Sequence, residues 1–481
     1  IWNSQVWVNG IKVEGFNESL TTPHHFNLSQ YLVPGENNQI TIRIDNRKQH
    51  DISVNSLAHA YTNDTQTMWN GVLGKIVLTA KDKMQIRDLC LIPDIDTQTL
   101  RVNVKMENKG LSPISGKLLF TVKAPDGKKL TDKEVQVNGS EVTFTYPISS
   151  PMLWDEFNPN VYEATATLET EGMIDSKRET FGMRKLTNQN SLLQINDRRL
   201  FLRGTLECCI FPLKGYPPMD ESGWEKVFIA AREYGMNHLR FHSWCPPEAA
   251  FNVADRMGFY LQIELPLWAL DVGKDQGTID FLYSEADCIM KEYGNHPSFC
   301  FWSLGNELQG DFGVMDQLLT SIKQRDNRHL YMTTTFTFET GHGSWPEVND
   351  DFWVTQWTKN GWVRGQGVFD DQPVSFDKDF STAIAGLPVP LVTHEIGQYS
   401  VFPNLKEIDK YTGNLIPLNF KAVAADLKKK GRFHLAEGNL MASGKLATIL
   451  YKEEIERALK TPGFSGFQLL DLHDFPGQGT A

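Results

Sequence analysis

A (β/α)₈ barrel carried behind two β-sandwich modules is the architecture this sequence predicts, and three observations predict it. From Leu193 onward, eight apolar runs alternate with amphipathic stretches, the strand-then-helix rhythm of a parallel sheet. Before about residue 186, short alternating strands are separated by Gly, Pro and Asn, with no long amphipathic helix. Several of the later apolar runs stop on ionisable residues, which is where such barrels place chemistry. At 481 residues the chain has room for two to four domains.

In chain order, the first runs are Val6-Trp7-Val8-Asn9-Gly10, Gln39 to Asp45 and Lys75 to Thr79. A break at Lys81-Asp82-Lys83 closes a first module over residues 1–83. Leu100 to Met106, Lys117 to Val122 and Glu141 to Thr145 belong to a second sandwich, residues 84–186, which closes at Phe181-Gly182-Met183-Arg184. The remainder, 187–481, supplies barrel strands at 201–206, 237–242, 259–264, 299–304, 329–335, 352–357, 390–395 and 465–471. Helices are expected over Glu221 to Tyr234, Pro246 to Met257, Ser284 to Tyr293 and Ala447 to Leu459. No Gly-x-Gly-x-x-Gly follows any of these strands, which argues against a dinucleotide site.

Composition narrows the function. The balance of 47 basic and 59 acidic residues gives a net charge of −12, which opposes nonspecific binding of nucleic acid. No run of 18 apolar residues is present, so no membrane span is expected. Six cysteines without C-x-x-C spacing indicate buried thiols rather than a disulfide framework or a zinc site. Cys208-Cys209 reads as packing, since adjacent cysteines pair only through a strained ring.

If the eight strands close in order, their ends share one face. Strand 2 brings Arg240, His242 and Trp244, strand 4 Asn306 and Glu307, strand 7 His394 and Glu395, and strand 8 His473 and Asp474. Glu207 ends strand 1 and is a further candidate. Strands 4 and 7 lie across the mouth, so Glu307 and Glu395 can face each other as the two carboxyls that glycoside cleavage requires. Carboxylates at a barrel mouth also serve metal-assisted chemistry, and a strand-end Asn-Glu can instead cap the next helix. Metal sites usually need three or more ligands, and tryptophans around these positions, Trp244 and Trp357 among them, offer flat faces for sugar rings. Trp302, inside strand 4, reads as core. Three histidines at one mouth (His242, His394, His473) favour contacts to sugar hydroxyls.

The run Asn295-His296-Pro297-Ser298 leading to Gly305-Asn306-Glu307, with Trp7-Val8-Asn9-Gly10, Trp69-Asn70-Gly71-Val72-Leu73-Gly74 and Phe201-Leu202-Arg203-Gly204, resembles the family 2 glycoside hydrolases, which include β-galactosidases, β-glucuronidases and β-mannosidases. The resemblance implies a jelly-roll module, an immunoglobulin-like module and a catalytic barrel acting without a cofactor or metal. It implies Glu307 as general acid/base, Glu395 as nucleophile, Asn306 on the 2-hydroxyl and Arg240 orienting the nucleophile. The two glutamates would need opposite pKa shifts. A retaining exo-β-glycosidase of β-galactosidase type follows, with a glucuronidase or other β-glycosidase specificity, a transglycosidase or an inactive carbohydrate-binding scaffold as alternatives. The partner is a glycoside or oligosaccharide, a homo-oligomer is possible, and the resemblance suggests a periplasmic or secreted setting.

Three departures bear on substrate. Gly204-Thr205-Leu206-Glu207-Cys208-Cys209 lacks the family's histidines after strand 1, His394 precedes the nucleophile position, and Leu472-His473-Asp474 stands where a tryptophan is usual. Residues 1–83 read as the later part of a jelly roll, and the barrel as lacking its last helix.

Overall fold

The structure is a computed structural model that describes residues 2–15, 17–54, 69, 71–110, 114–170, 172–365, 375 and 377–473. Its first module is a four-stranded antiparallel sheet in which Asn3–Val8 pairs with Ile11–Lys12, Asn17–Glu18 and Ile40–Asp45. The two residues between the first hairpin's strands, Asn9 and Gly10, both have positive φ (53° and 82°), as a two-residue turn matched to strand twist demands. Asn9-Gly10 is therefore a turn rather than the end of a strand. The strand expected over Lys75 to Thr79 does not form. Ile76, Val77 and Leu78 have no ladder partner among the described residues and stand 72%, 66% and 66% exposed.

The second sandwich faces a three-stranded sheet (Met84–Asp94, Thr99–Asn108, Glu141–Pro147) against a four-stranded one (Ser115–Lys123, Lys133–Asn138, Tyr162–Thr170, Met173–Phe181). Period-two alternation puts Leu100, Val102 and Val104 of one sheet against Leu118, Phe120, Val122, Ala164 and Ala166 of the other.

The barrel strands are, in order, Leu202–Glu207, His238–Phe241, Tyr260–Glu264, Phe299–Ser303, Leu330–Met332, Trp353–Thr355, Leu391–Ile396 and Phe464–Leu469. Each falls within or at the edge of the run expected from sequence, and they neighbour one another in the order 5-4-3-2-1-8-7-6, all parallel. Strands 5 and 6 share no ladder. Asp351 N–H donates to Tyr331 O (2.7 Å), its carboxylate accepts from Tyr331 N–H (3.0 Å), and Asp350 accepts from Thr333 N–H (2.7 Å), so one backbone bond and two aspartate carboxylates bridge the gap that no ladder spans. Burial raises the Asp350 carboxyl to about 7.

Helix boundaries differ from expectation for local reasons. Gln276–Tyr293 begins eight residues early because Asp275 caps it, accepting from Thr278 N–H at 2.7 Å. Glu248–Met257 starts after Pro246-Pro247, and the last long helix spans Ala436–Lys460. A final barrel helix would lie beyond strand 8, where residues 474–481 fall outside the described residues.

Candidate active site

Strand 4 runs out through Leu304-Gly305 to Asn306 and Glu307. A side chain at Gly305 would come within 2.3 Å of Leu267 O, so glycine lets the strand end lie close enough for Asn306 N–H to reach that carbonyl at 3.1 Å. Neither Asn306 nor Glu307 caps a helix. The next helix, Phe312–Arg325, is capped by Asp311, which accepts from Gly313 and Val314 N–H. Across the mouth, the strand 7–strand 8 register slips between Thr393 and Ile396, which bulges His394 and Glu395 out of the ladder.

Both glutamates adopt left-handed backbone, φ 47° at Glu307 and φ 51° at Glu395. Ser243 (58°) beyond strand 2 and Cys209 (59°) beyond strand 1 do the same. Such conformations cost about 1–3 kcal/mol each in non-glycine residues and persist where packing over-determines them. Among residues from the first barrel strand onward, these four are the described non-glycine residues with positive φ, and all lie at the C-terminal end of the barrel; the others precede it in the chain.

One carboxylate oxygen from each glutamate and a His394 ring nitrogen lie within 4.8 Å of one another. Arg240, fully buried, organises this group: Nε donates to Glu264 Oε1 (2.7 Å), Nη1 to Glu395 Oε1 (3.4 Å) and Nη2 to Asn306 Oδ1 (2.5 Å). Its two open hydrogen-bonding arms therefore tie strand 7 to strand 4. Glu395 Oε1 also faces His394 Nε2 (3.1 Å) and His242 Nε2 (3.5 Å). The His394 Nδ1 faces the amide nitrogen of Gln356 at 3.4 Å, which leaves the ring proton on Nε2, toward Glu395. Asn306 Oδ1 accepts from Thr335 Oγ1–H (2.8 Å), while its Nδ2 is buried and has no hydrogen-bond partner among the described residues.

Burial raises the Glu307 carboxyl, and the charge of Glu395 raises it further, to about 8. Burial acts on Glu395 in the same direction, but His394, His242 and Arg240 outweigh it and hold Glu395 well below the usual carboxylate range. Burial takes His394 down to about 4, so it faces Glu395 as a neutral donor. Two carboxyls, one kept protonated and one ionised, result from burial and a neighbouring carboxylate acting on Glu307 while His394, His242 and Arg240 gather on Glu395.

Glu307, His394 and Glu395 are also the donor set that could hold a cation. Glu395 already receives Arg240 on Oε1, and the guanidinium charge would repel a cation held there.

The other candidates divide. Trp357 stands beside the site, 4.5 Å edge-on from Phe336, which in turn lies 6.2 Å from His394. Trp244 is core: its ring packs on Phe241 and Trp224, and its N–H donates to Glu207 O at 3.0 Å. Glu207 is fully buried, and neither carboxylate oxygen makes a hydrogen bond among the described residues; His473 Nδ1 is 3.6 Å away. His473 is thus grouped with Glu207 rather than with the glutamate pair. Asp474 lies outside the described residues.

Sequence reading passed over Glu264, Thr335, Gln356 and Arg364. Glu264 ends strand 3 as Glu307 ends strand 4, and the same reasoning applied to Gln262-Ile263-Glu264 would have found it. Arg364, which donates to the Glu395 carbonyl at 3.1 Å, sits in an irregular stretch with no periodic signal.

The family model for glycosyl hydrolases family 2 matches residues 84–184, the second sandwich. A β-galactosidase of Leuconostoc mesenteroides is 25% identical over 325 residues, covering 63% of this chain and 30% of that protein. A β-galactosidase 2 of Enterobacter cloacae is 25% identical over 345 residues, 67% of this chain and 32% of its own length. The chain thus spans about a third of these relatives. Among solved structures, a glycosyl hydrolase family 2 member from Bacteroides cellulosilyticus overlays 99% of this chain and 57% of its own at TM-score 0.68 and 15% identity. A β-glucuronidase of Bacteroides uniformis overlays 99% and 58% at TM-score 0.67 and 15% identity. Domain order, sandwich match and barrel overlay agree in their direction: the second sandwich matches the family 2 glycosyl hydrolase model, and the chain as a whole is similar in sequence and fold to proteins of that group.

Proposed function

We propose that this chain carries the catalytic centre of a retaining, exo-acting β-glycosidase. The observation that carries this reading is the Glu307–Glu395 pair: oxygens within 4.8 Å, with the two carboxyls pushed to opposite protonation states. Retaining enzymes hold their carboxyls about 5–5.5 Å apart, whereas inverting ones leave about 6.5–9.5 Å for a water.

In the first step a Glu395 carboxylate oxygen bonds to the anomeric carbon as the glycosidic C–O bond breaks, and Glu307 gives its proton to the departing oxygen. Esterification removes the charge of Glu395, so the carboxyl of Glu307 loses one of the influences that raised it and becomes a base. Glu307 then takes a proton from water, whose oxygen attacks the anomeric carbon and releases Glu395. Arg240 lies within hydrogen-bond reach of Glu395, the carboxylate released in this second step. The unpartnered Asn306 Nδ2 is placed to donate to the sugar's 2-hydroxyl, an interaction that strengthens as charge develops on the ring.

The similar proteins are named β-galactosidases and β-glucuronidases, which supports a terminal β-linked sugar as substrate. A β-galactosidase-like specificity is the primary reading. A panel of nitrophenyl β-glycosides bearing galactose, glucuronic acid, mannose and arabinose tests it, and turnover of galactoside above the others is expected. Turnover of none, by protein that still binds sugars, would reduce the chain to a carbohydrate-binding scaffold.

A further inference from the structure

The catalytic pair leaves unexplained an aromatic wall that runs outward beside Glu307. Segment 333–338, following strand 5, is latched to the end of strand 4 by three threonines. Glu307 N–H donates to Thr335 Oγ1 (3.0 Å), Leu308 N–H to Thr334 Oγ1 (2.9 Å), and Thr337 Oγ1–H to Leu308 O (2.7 Å). The latch fixes Phe336 and Phe338 on the Glu307 side of the mouth.

Phe336 is 1% exposed and begins the wall next to His394. Trp357 meets it edge-on at 4.5 Å, Phe338 packs edge-on against both (4.6 and 5.8 Å), and Trp362 meets Trp357 edge-on at 5.2 Å. Trp357 and Trp362 are register partners in a short hairpin, which sets their spacing. Exposure rises along the wall to 40% at Trp362 and 66% at Phe338. Two aromatic rings are thus left partly exposed to solvent, backed by buried Phe336 and partly buried Trp357, a surface for which water is a poor partner.

We propose that Phe338 and Trp362, backed by Phe336 and Trp357, form the leaving-group subsite and take the C–H face of a pyranose ring. This rests on the acid role of Glu307 proposed above. The glycosidic oxygen must come within hydrogen-bond reach of the carboxyl that protonates it. A ring carried by that oxygen then lies on the side of the mouth built by 333–338 and the Trp357–Trp362 hairpin. Flat apolar faces with no charge of their own suit a neutral ring.

The test uses the full chain with Phe338→Ala and Trp362→Ala, and one glycon joined to three leaving groups: a second pyranose, nitrophenol and fluoride, the last having no ring. Each variant should lower the disaccharide-to-fluoride ratio of kcat/KM by about 5- to 20-fold. Trp362→Phe, which keeps a flat face, should recover part of that loss. An unchanged ratio, or equal losses on all three substrates, would overturn the subsite. A larger loss on the nitrophenyl glycoside than on the disaccharide would overturn the pyranose assignment in favour of an aromatic leaving group. Failure of the unmodified chain to turn over even the fluoride would remove the glycosidase reading, and this one with it.

Discussion

The two ends of barrel strand 4 lie within a dozen residues of each other and are built on opposite terms. At the N-terminal end, Asn295 Oδ1 accepts from Leu91 N–H (2.9 Å) and Arg328 Nη1 (2.7 Å), and its Nδ2 donates to Leu89 O (2.8 Å). His296 and Ser298 are both satisfied by Asp255, at 2.6 Å to the imidazole and 2.5 Å to the hydroxyl. Arg184 closes the same junction by donating to Pro297 O and Phe299 O. A crevice of about 540 Å³ lies here, between sandwich and barrel floor, walled by already paired residues such as Arg184, Asn295 and Arg328. At the C-terminal end, Asn306 keeps an unpartnered amide, Glu307 takes a left-handed φ, and its carboxyl is driven up to about 8. Saturated hydrogen bonding marks the joint between domains. Strain and unmet polarity mark the chemistry.

The comparison can be broken at either end. The largest expected effect is at the mouth: Glu395→Gln should lower kcat by 10⁴-fold or more, as on the order expected for loss of a nucleophile, with far-ultraviolet circular dichroism unchanged. Glu307→Gln should cost about 10²–10⁴-fold on glycosides with poor leaving groups and much less on dinitrophenyl glycosides, which depart without a proton. Equal losses on both would remove the acid role.

Next in size is the floor. Asn295→Ala should destabilise the chain by about 1–3 kcal/mol in urea unfolding, because buried Leu89 O and Leu91 N–H lose their partner, while kcat/KM stays within twofold. A large loss of activity without loss of stability would erase the distinction between the ends.

Smaller still is the stability of Glu307→Gln itself. A carboxyl raised in the folded state stabilises below its unfolded pKa, near 4.5, and loses that contribution as pH rises through about 8. The variant should therefore gain about 1–2 kcal/mol over the parent at pH 9 and little at pH 4, by thermal unfolding. For the same reason kcat/KM should fall as pH rises through about 8, when Glu307 gives up the proton it must donate, and that limb should vanish in Glu307→Gln.

Much of the barrel was legible because its signal is periodic. Phe299–Ser303 and Leu391–Ile396 are strand-length segments opened by apolar residues, with a glutamate just past or within their C-terminal end, and such segments are read from composition. Asn295-His296-Pro297-Ser298 was equally conspicuous, yet nothing in its letters says that it is a clamp at the far end from the chemistry. Trp244 was misassigned for a related reason: a strand end near the mouth can still turn its ring into the core, and Phe241 and Trp224 draw it there. The left-handed φ at Glu307 and Glu395 and the bulge at His394 are tertiary consequences with no local sequence mark. Lys75 to Thr79 carried a strand's composition without a partner to pair with, and composition does not report partners.

The most direct test of the central claim, that Glu307 and Glu395 act as a retaining pair, is the anomeric configuration of the first-formed sugar, followed by proton NMR during hydrolysis of a nitrophenyl β-glycoside the chain accepts. The β-anomer should appear first and mutarotate to the α-anomer afterwards. Initial release of the α-anomer would require a water between the carboxyls rather than a bond to Glu395, and would contradict the account.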